Sequence, residues 1–244
     1  MSLLSFIVLL ACLQQTSFVQ IDSVSNGYET IAREPSLIIA DSVTYSDAKL
    51  DIAGLRTRLS KDLQEERIGI DSVKQVFADR LVNQIIPYWY GTEWSFGGHT
   101  SIPKVGKIAC GYFVSTTLKD MGLRLNRYKL AQKSPMDEAL AIGCGARVVT
   151  VSDKNPDRAF EQIQDRVGEG IYFIGFDTGH VGFVIRKEKR LLLIHSNYLT
   201  PISVCVEPLN TAQVFKTFTK FHLVPISHND LFIKKWLNRG VLPN

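Results

Sequence analysis

Gly179-His180-Val181-Gly182-Phe183-Val184-Ile185 and Leu191-Leu192-Leu193-Ile194-His195-Ser196-Asn197 decide how this chain is read. Between them lies the charged stretch Lys187-Glu188-Lys189-Arg190. Two apolar runs around a solvated turn predict an antiparallel hairpin. Counting outward from the turn, His180 lies about eight residues before its centre and His195 about seven after. Residues so placed stand near one another across the two strands. An imidazole pair in that position is either a hydrogen-bonded structural element or part of a proton-handling site.

Working outward, the C-terminal half carries further strand signals at residues 147–151, 171–176 and 202–206. A helix capped by Asn155 or Asp157 is expected to run through Val167, and another from Asn229 to Leu237. Residues 215–224 read ambiguously, and 130–141 reads as a connecting segment. The N-terminal half is helical instead. Val73, Val76, Phe77, Leu81, Val82 and Ile85 form an apolar stripe that Asp71 or Ser72 can cap and Pro87 should stop. The aromatic, Gly-rich stretch 88–107 reads as loop. Helices first and an antiparallel sheet afterwards predict one α+β domain over 47–244.

Cys110 opens the next helical pattern, with Phe113, Val114, Thr117, Leu118 and Met121 at helical spacing and Gly122 at the expected C-cap. A thiol in a first turn faces unpaired N–H groups and the positive end of the helix dipole. Both favour the thiolate, the form that attacks a carbonyl carbon. Cys110 is therefore the candidate nucleophile, and His180 and His195 are the candidate base and orienting partner.

The first twenty residues carry no charged side chain and contain the run Leu3-Leu4-Ser5-Phe6-Ile7-Val8-Leu9-Leu10-Ala11. That run is too short to span a bilayer and fits the apolar core of an export leader. Leu9-Leu10-Ala11-Cys12 resembles a lipoprotein cleavage box, by which a lipidated Cys12 would tether the chain to a membrane. Residues 21–46 read as a linker or arm. A periplasmic, cell-envelope or secreted location follows from the leader. With Cys12 removed, Cys110, Cys144 and Cys205 remain, and either Cys144 pairs with Cys205 or both are buried thiols. The formal charge of +4 comes without a dense Lys/Arg cluster, which argues against nucleic-acid binding.

Cys110-Gly111-Tyr112-Phe113-Val114, His180-Val181-Gly182-Phe183-Val184-Ile185 and Leu193-Ile194-His195-Ser196 together resemble the three signature blocks of the NlpC-type cysteine peptidases. The resemblance implies a papain-like fold and hydrolysis of an amide bond in bacterial peptidoglycan peptides, by an endopeptidase or amidase needing no cofactor. Pro87-Tyr88-Trp89-Tyr90-Gly91 is similar to that family's Pro-Tyr-x-Trp-Gly block. By the match Cys110 would be nucleophile, His180 base, His195 third residue and Tyr88 a site-lining hydroxyl. Ala109 and Gly111 flank the cysteine where the family usually has Asp and Ser. Gly179-His180-Val181 also resembles the related CHAP amidases, whose third residue is more often a carboxylate or amide; there Asn197 would orient His180.

Trp89, Tyr90, Trp94 and Phe96 form either a substrate-binding wall or a loop anchored by its own aromatics. His99 reads as a solvated loop residue, and His222 and His228 as structural. Two other functions fit the same residues. Cys110, His180 and His195 could ligate zinc, or the domain could be a non-catalytic cell-wall-binding module.

Overall fold

The computed structural model describes residues 44–177 and 179–243. The expected leader, Cys12 and the expected arm up to residue 43 lie outside the described residues. No helix among the described residues is long and apolar enough to cross a membrane.

Helix α1 (Tyr45–Gln64) starts from a capping box in which Thr44 and Asp47 satisfy each other's backbone N–H groups. Its Ile52 and Leu59 enter the core, and Arg56 donates to the Trp236 carbonyl near the chain's end. Helix α2 (Ile70–Asp79) starts from Gly69 with no side-chain cap, so neither Asp71 nor Ser72 caps it. It runs on into a π-helical stretch, Arg80–Ile85, and a short 3-10 turn, Ile86–Trp89. Pro87 thus opens this turn instead of stopping the helix, because an early helical position needs no N–H from it.

Helix α3 (Cys110–Asp120) matches the expected span, with Gly122 at φ +93° just past its end. The connecting segment holds two helices, α4 (Arg127–Ala131) and α5 (Pro135–Gly143). Asn126 and Ser134 cap them, the latter with proline directly behind. Helix α6 (Pro156–Arg166) starts at its Asn155 cap, and α8 (Asp230–Leu237) at its Asn229 cap.

The sheet comprises β1 (Val149–Ser152), β2 (Gly170–Phe176), β3 (His180–Lys187), β4 (Arg190–Ser196), β5 (Val204–Pro208) and β6 (Lys220–Pro225). All neighbours are antiparallel, in the order β1-β6-β2-β3-β4-β5. The ambiguous 215–224 tail resolves into α7 (Gln213–Thr217) and β6, which inserts between β1 and β2. Its partners lie far away in sequence, so local patterning carried no sign of this position.

Apolar residues cover both faces. On one, Phe113, Val114 and Leu118 of α3 meet Val181, Phe183, Ile185 and Ile194, together with Trp89 and Trp236. On the other, Ala159 and Ile163 of α6 and Val214 and Phe215 of α7 cover Tyr172, Ile174, Val184 and Leu193. The fold is therefore α+β, with helices on both sides of one antiparallel sheet.

Candidate functional site

The β3–β4 hairpin sets the site. Lys187 pairs with Arg190, leaving Glu188 and Lys189 as a two-residue turn with Glu188 at φ +55°. The register runs back to Phe183 opposite Ile194, and continuing it puts Gly182 opposite His195. His180 is then diagonal to His195 on the same face. The two rings meet edge to face, with His180 Nε2 and His195 Nδ1 2.7 Å apart. Both imidazoles are buried.

Beyond β4, the edge strand β5 pairs Cys205 with His195. Glu207, on the same face, accepts from His195 Nε2 at 2.9 Å. Cys205 Sγ lies 3.6 Å from that same nitrogen. A carboxylate only accepts, so His195 carries its proton on Nε2 and presents an Nδ1 lone pair. That lone pair takes the Nε2–H of His180, which leaves His180 Nδ1 unprotonated. His180 Nδ1 is buried and has no hydrogen-bond partner. Burial and the adjacent His195 hold His180 well below the ordinary histidine range. Burial lowers His195 too, against the opposing pull of Glu207. The pair is neutral at pH 7.

Cys110 heads α3 behind Ala109, whose side chain offers no cap. The approach is fastened by Ser196 at the end of β4, which donates to the Ile108 carbonyl at 2.7 Å. Ala109 N–H reaches the Gly98 carbonyl at 2.8 Å. Gly111 has a steric role in its departure from the family pattern, since a Cβ there would stand 2.6 Å from the Ala131 carbonyl oxygen of α4.

The sulfur accepts from the Val181 amide and from the N–H groups of its own first turn. These donors favour the thiolate, but burial outweighs them, and Glu138 adds to the opposition. The thiol is pushed up to about 11. The expected preference for thiolate is corrected for the resting state: desolvation dominates the helix dipole.

His180 and His195 are thus brought together, while Cys110 meets the amide of the residue after His180. Val181 belongs to the α3-side core, and the pleat turns His180 the other way, against Phe176 and Tyr198. No hydrogen bond joins Cys110 to either imidazole among the described residues.

The remaining candidates separate. Trp89 is fully buried, donates to Tyr45 Oη at 2.9 Å and packs on Phe113, so it is scaffold and not a substrate contact. Tyr88 is half-buried against Tyr45, with Asp47 nearby. Tyr90 lines a cavity of about 340 Å³ with Cys205 and Glu207. Asn197 accepts from Leu199 N–H, donates to Thr200 O and reaches Cys205, so it shapes the turn after β4; Glu207 orients the imidazoles instead. Phe96 is exposed, and Trp94 packs on Tyr198. His222 contacts Thr150 across the sheet, and His228 packs on Tyr172.

Cys110, Cys144 and Cys205 are all free thiols, so Cys144 and Cys205 do not pair. The expected zinc set of Cys110, His180 and His195 is not assembled. Among the described residues, the group with metal-binding spacing is His195, Cys205 and Glu207.

Sequence reasoning missed Glu207, Glu138 and Gly182. Glu207 had a partial signal, since Val204-Cys205-Val206-Glu207 alternates as a strand. The long link from β4 left its register open. Glu138 is fully buried on α5 beside the thiol, with one carboxyl oxygen unpartnered. It sits in a segment whose helix had no clear periodic stripe.

No protein-family model, no curated protein and no solved structure matches this chain.

Proposed function

We propose that this chain is a cysteine hydrolase that cleaves an amide bond, with Cys110 as nucleophile, His180 as general base and His195 as orienting residue on a papain-like frame. The observation that carries the reading is the free, buried Nδ1 of His180. It stands at the end of the Glu207–His195–His180 chain, in the residue just before Val181, whose amide holds Cys110 Sγ. The reading requires Cys110 Sγ and His180 Nδ1 to meet when substrate binds, since catalytic contacts in resting sites often form only then.

The neutral thiol and neutral imidazole define the chemistry. The Sγ–H proton passes to His180 Nδ1 as sulfur attacks the carbonyl carbon. The imidazolium so formed is stabilised through His195 by the Glu207 carboxylate. N–H groups at the head of α3 face the developing oxyanion. His180 then protonates the leaving amine, and water, deprotonated by the same nitrogen, hydrolyses the thioester.

The resemblance to the NlpC-type peptidases supports a peptidoglycan peptide as substrate, and the apolar leader supports export to the envelope. Mass spectrometry of defined muropeptides digested with wild type and Cys110→Ala tests activity and bond together. The expected result is one new amine and carboxylate terminus from wild type alone, and cleavage by folded Cys110→Ala protein refutes the proposal.

A second reading, a non-catalytic wall-binding module, draws support from the elevated resting thiol and the burial of both imidazoles. Muropeptide binding without turnover in the wild type would favour it.

A further inference from the structure

We propose that His195, Cys205 and Glu207 form a binding site for a borderline-soft divalent cation, zinc foremost. Their ligand atoms all lie within 4.8 Å of one another. A tetrahedral zinc with ordinary bond lengths of about 2.0–2.3 Å separates sulfur from nitrogen by about 3.6 Å and nitrogen from oxygen by about 3.4 Å. Cys205 Sγ and His195 Nε2 already stand 3.6 Å apart. Glu207 Oε1, at 2.9 Å from the same nitrogen, needs to open by only about half an ångström. Its side chain retains 22% exposure and has room to do so.

Four further features fit a metal. Cys205 is the direct cross-strand partner of His195, and Glu207 follows on the same face, so strand register itself holds the ligands. Burial and the adjacent Glu207 hold the metal-free Cys205 thiol protonated, and a hydrogen bond from Asn197 to the sulfur opposes them and would steady a metal-bound thiolate. His195 Nδ1 already faces His180 Nε2, the outer-shell contact that orients a ligating histidine. The cavity lined by Tyr90, Cys205 and Glu207 opens onto the ligands and gives water access to a fourth position.

Occupancy reverses the proton pattern of the imidazoles, a consequence that rests on the proposed hydrolase reading. The Cys205 thiol proton leaves to solvent as sulfur binds the metal. The metal replaces the proton on His195 Nε2, and the His180 Nε2 proton shifts to His195 Nδ1. The displaced proton returns through solvent to His180 Nδ1. His180 Nδ1 is then protonated, and on the hydrolase reading the base is blocked.

Metal-free wild type is titrated with Co²⁺ and followed by absorption. One equivalent is expected to give intense tetrahedral ligand-field bands and a thiolate-to-cobalt charge-transfer band, displaced by Zn²⁺. Cys205→Ser should remove the charge-transfer band and Glu207→Gln should weaken binding at least tenfold, while Cys110→Ala keeps both features. Circular dichroism confirms that each variant is folded. Absence of the bands in wild type, their persistence in Cys205→Ser, or their loss in Cys110→Ala overturns the site. In the activity arm, one equivalent of Zn²⁺ should stop muropeptide hydrolysis and EDTA should restore it. Binding with undiminished hydrolysis overturns the switch. A wild type inactive at every metal content counts against the hydrolase reading, and the cobalt bands still decide the site.

Discussion

Gly182 lies opposite His195, and the Cβ it lacks would stand 3.0 Å from the His195 Cβ and 2.8 Å from the Ile194 carbonyl oxygen. The missing side chain leaves His195 free to lean along its strand and meet His180 diagonally. Gly182→Ala forces either the hairpin or the imidazole aside. Overpacking of this kind costs about 1–3 kcal/mol. Chemical denaturation should show that loss, and hydrolysis should fall further than stability explains. An unchanged midpoint would mean that the strands separate without cost.

Glu207 sets the proton positions along both rings. In Glu207→Gln the side-chain amide can donate to His195 Nε2, which reverses the tautomers and protonates His180 Nδ1. On the proposed mechanism, kcat should fall about 10²- to 10⁴-fold with little change in KM. Glu207→Asp, still an acceptor, should recover part of the loss. Equal activity of the Gln and wild-type proteins would show that Glu207 does not govern the base.

The hairpin, the Cys110 helix and the capped helices α6 and α8 were legible because their signals are local: alternation, 3.6-residue spacing, Asn at an N-cap. The histidine pair followed from the turn alone. Glu207, by contrast, reaches His195 through the pairing of β5 with β4, which depends on a connection whose length leaves the register open. The same holds for β6, paired with β1 and β2 across the chain. The thiol illustrates a different limit. Its helix position was readable, but its burial beside Glu138 arises from the packing of α5 and reverses the electrostatic expectation.

Glu138 is a buried acid whose carboxyl burial pushes well above its ordinary value of 4.5. Between that ordinary value and the elevated one, the folded state binds more protons than the unfolded state. Stability is therefore fully present at acid pH and is lost as pH rises above 4.5. One such group contributes a slope of at most about 1.4 kcal/mol per pH unit. Glu138→Gln cannot ionise, so its denaturation midpoint should exceed that of wild type at pH 8, with the difference shrinking toward pH 4. Parallel stability curves for the two proteins would contradict the assignment.

Cys110 provides the sharpest test of the resting site. With the thiol pushed up to about 11, only about one molecule in a thousand carries thiolate at pH 8. Alkylation by iodoacetamide, followed by peptide mapping to separate Cys144 and Cys205, should be slower at Cys110 than at an unhindered thiol. The rate should climb steadily between pH 7 and 10 without a plateau. In Glu138→Gln the climb should shift to lower pH, because the carboxyl no longer opposes the sulfur's charge. Fast alkylation independent of pH over that range would instead reveal a preformed thiolate–imidazolium pair. It would replace the coupled proton transfer proposed above with attack by a standing anion.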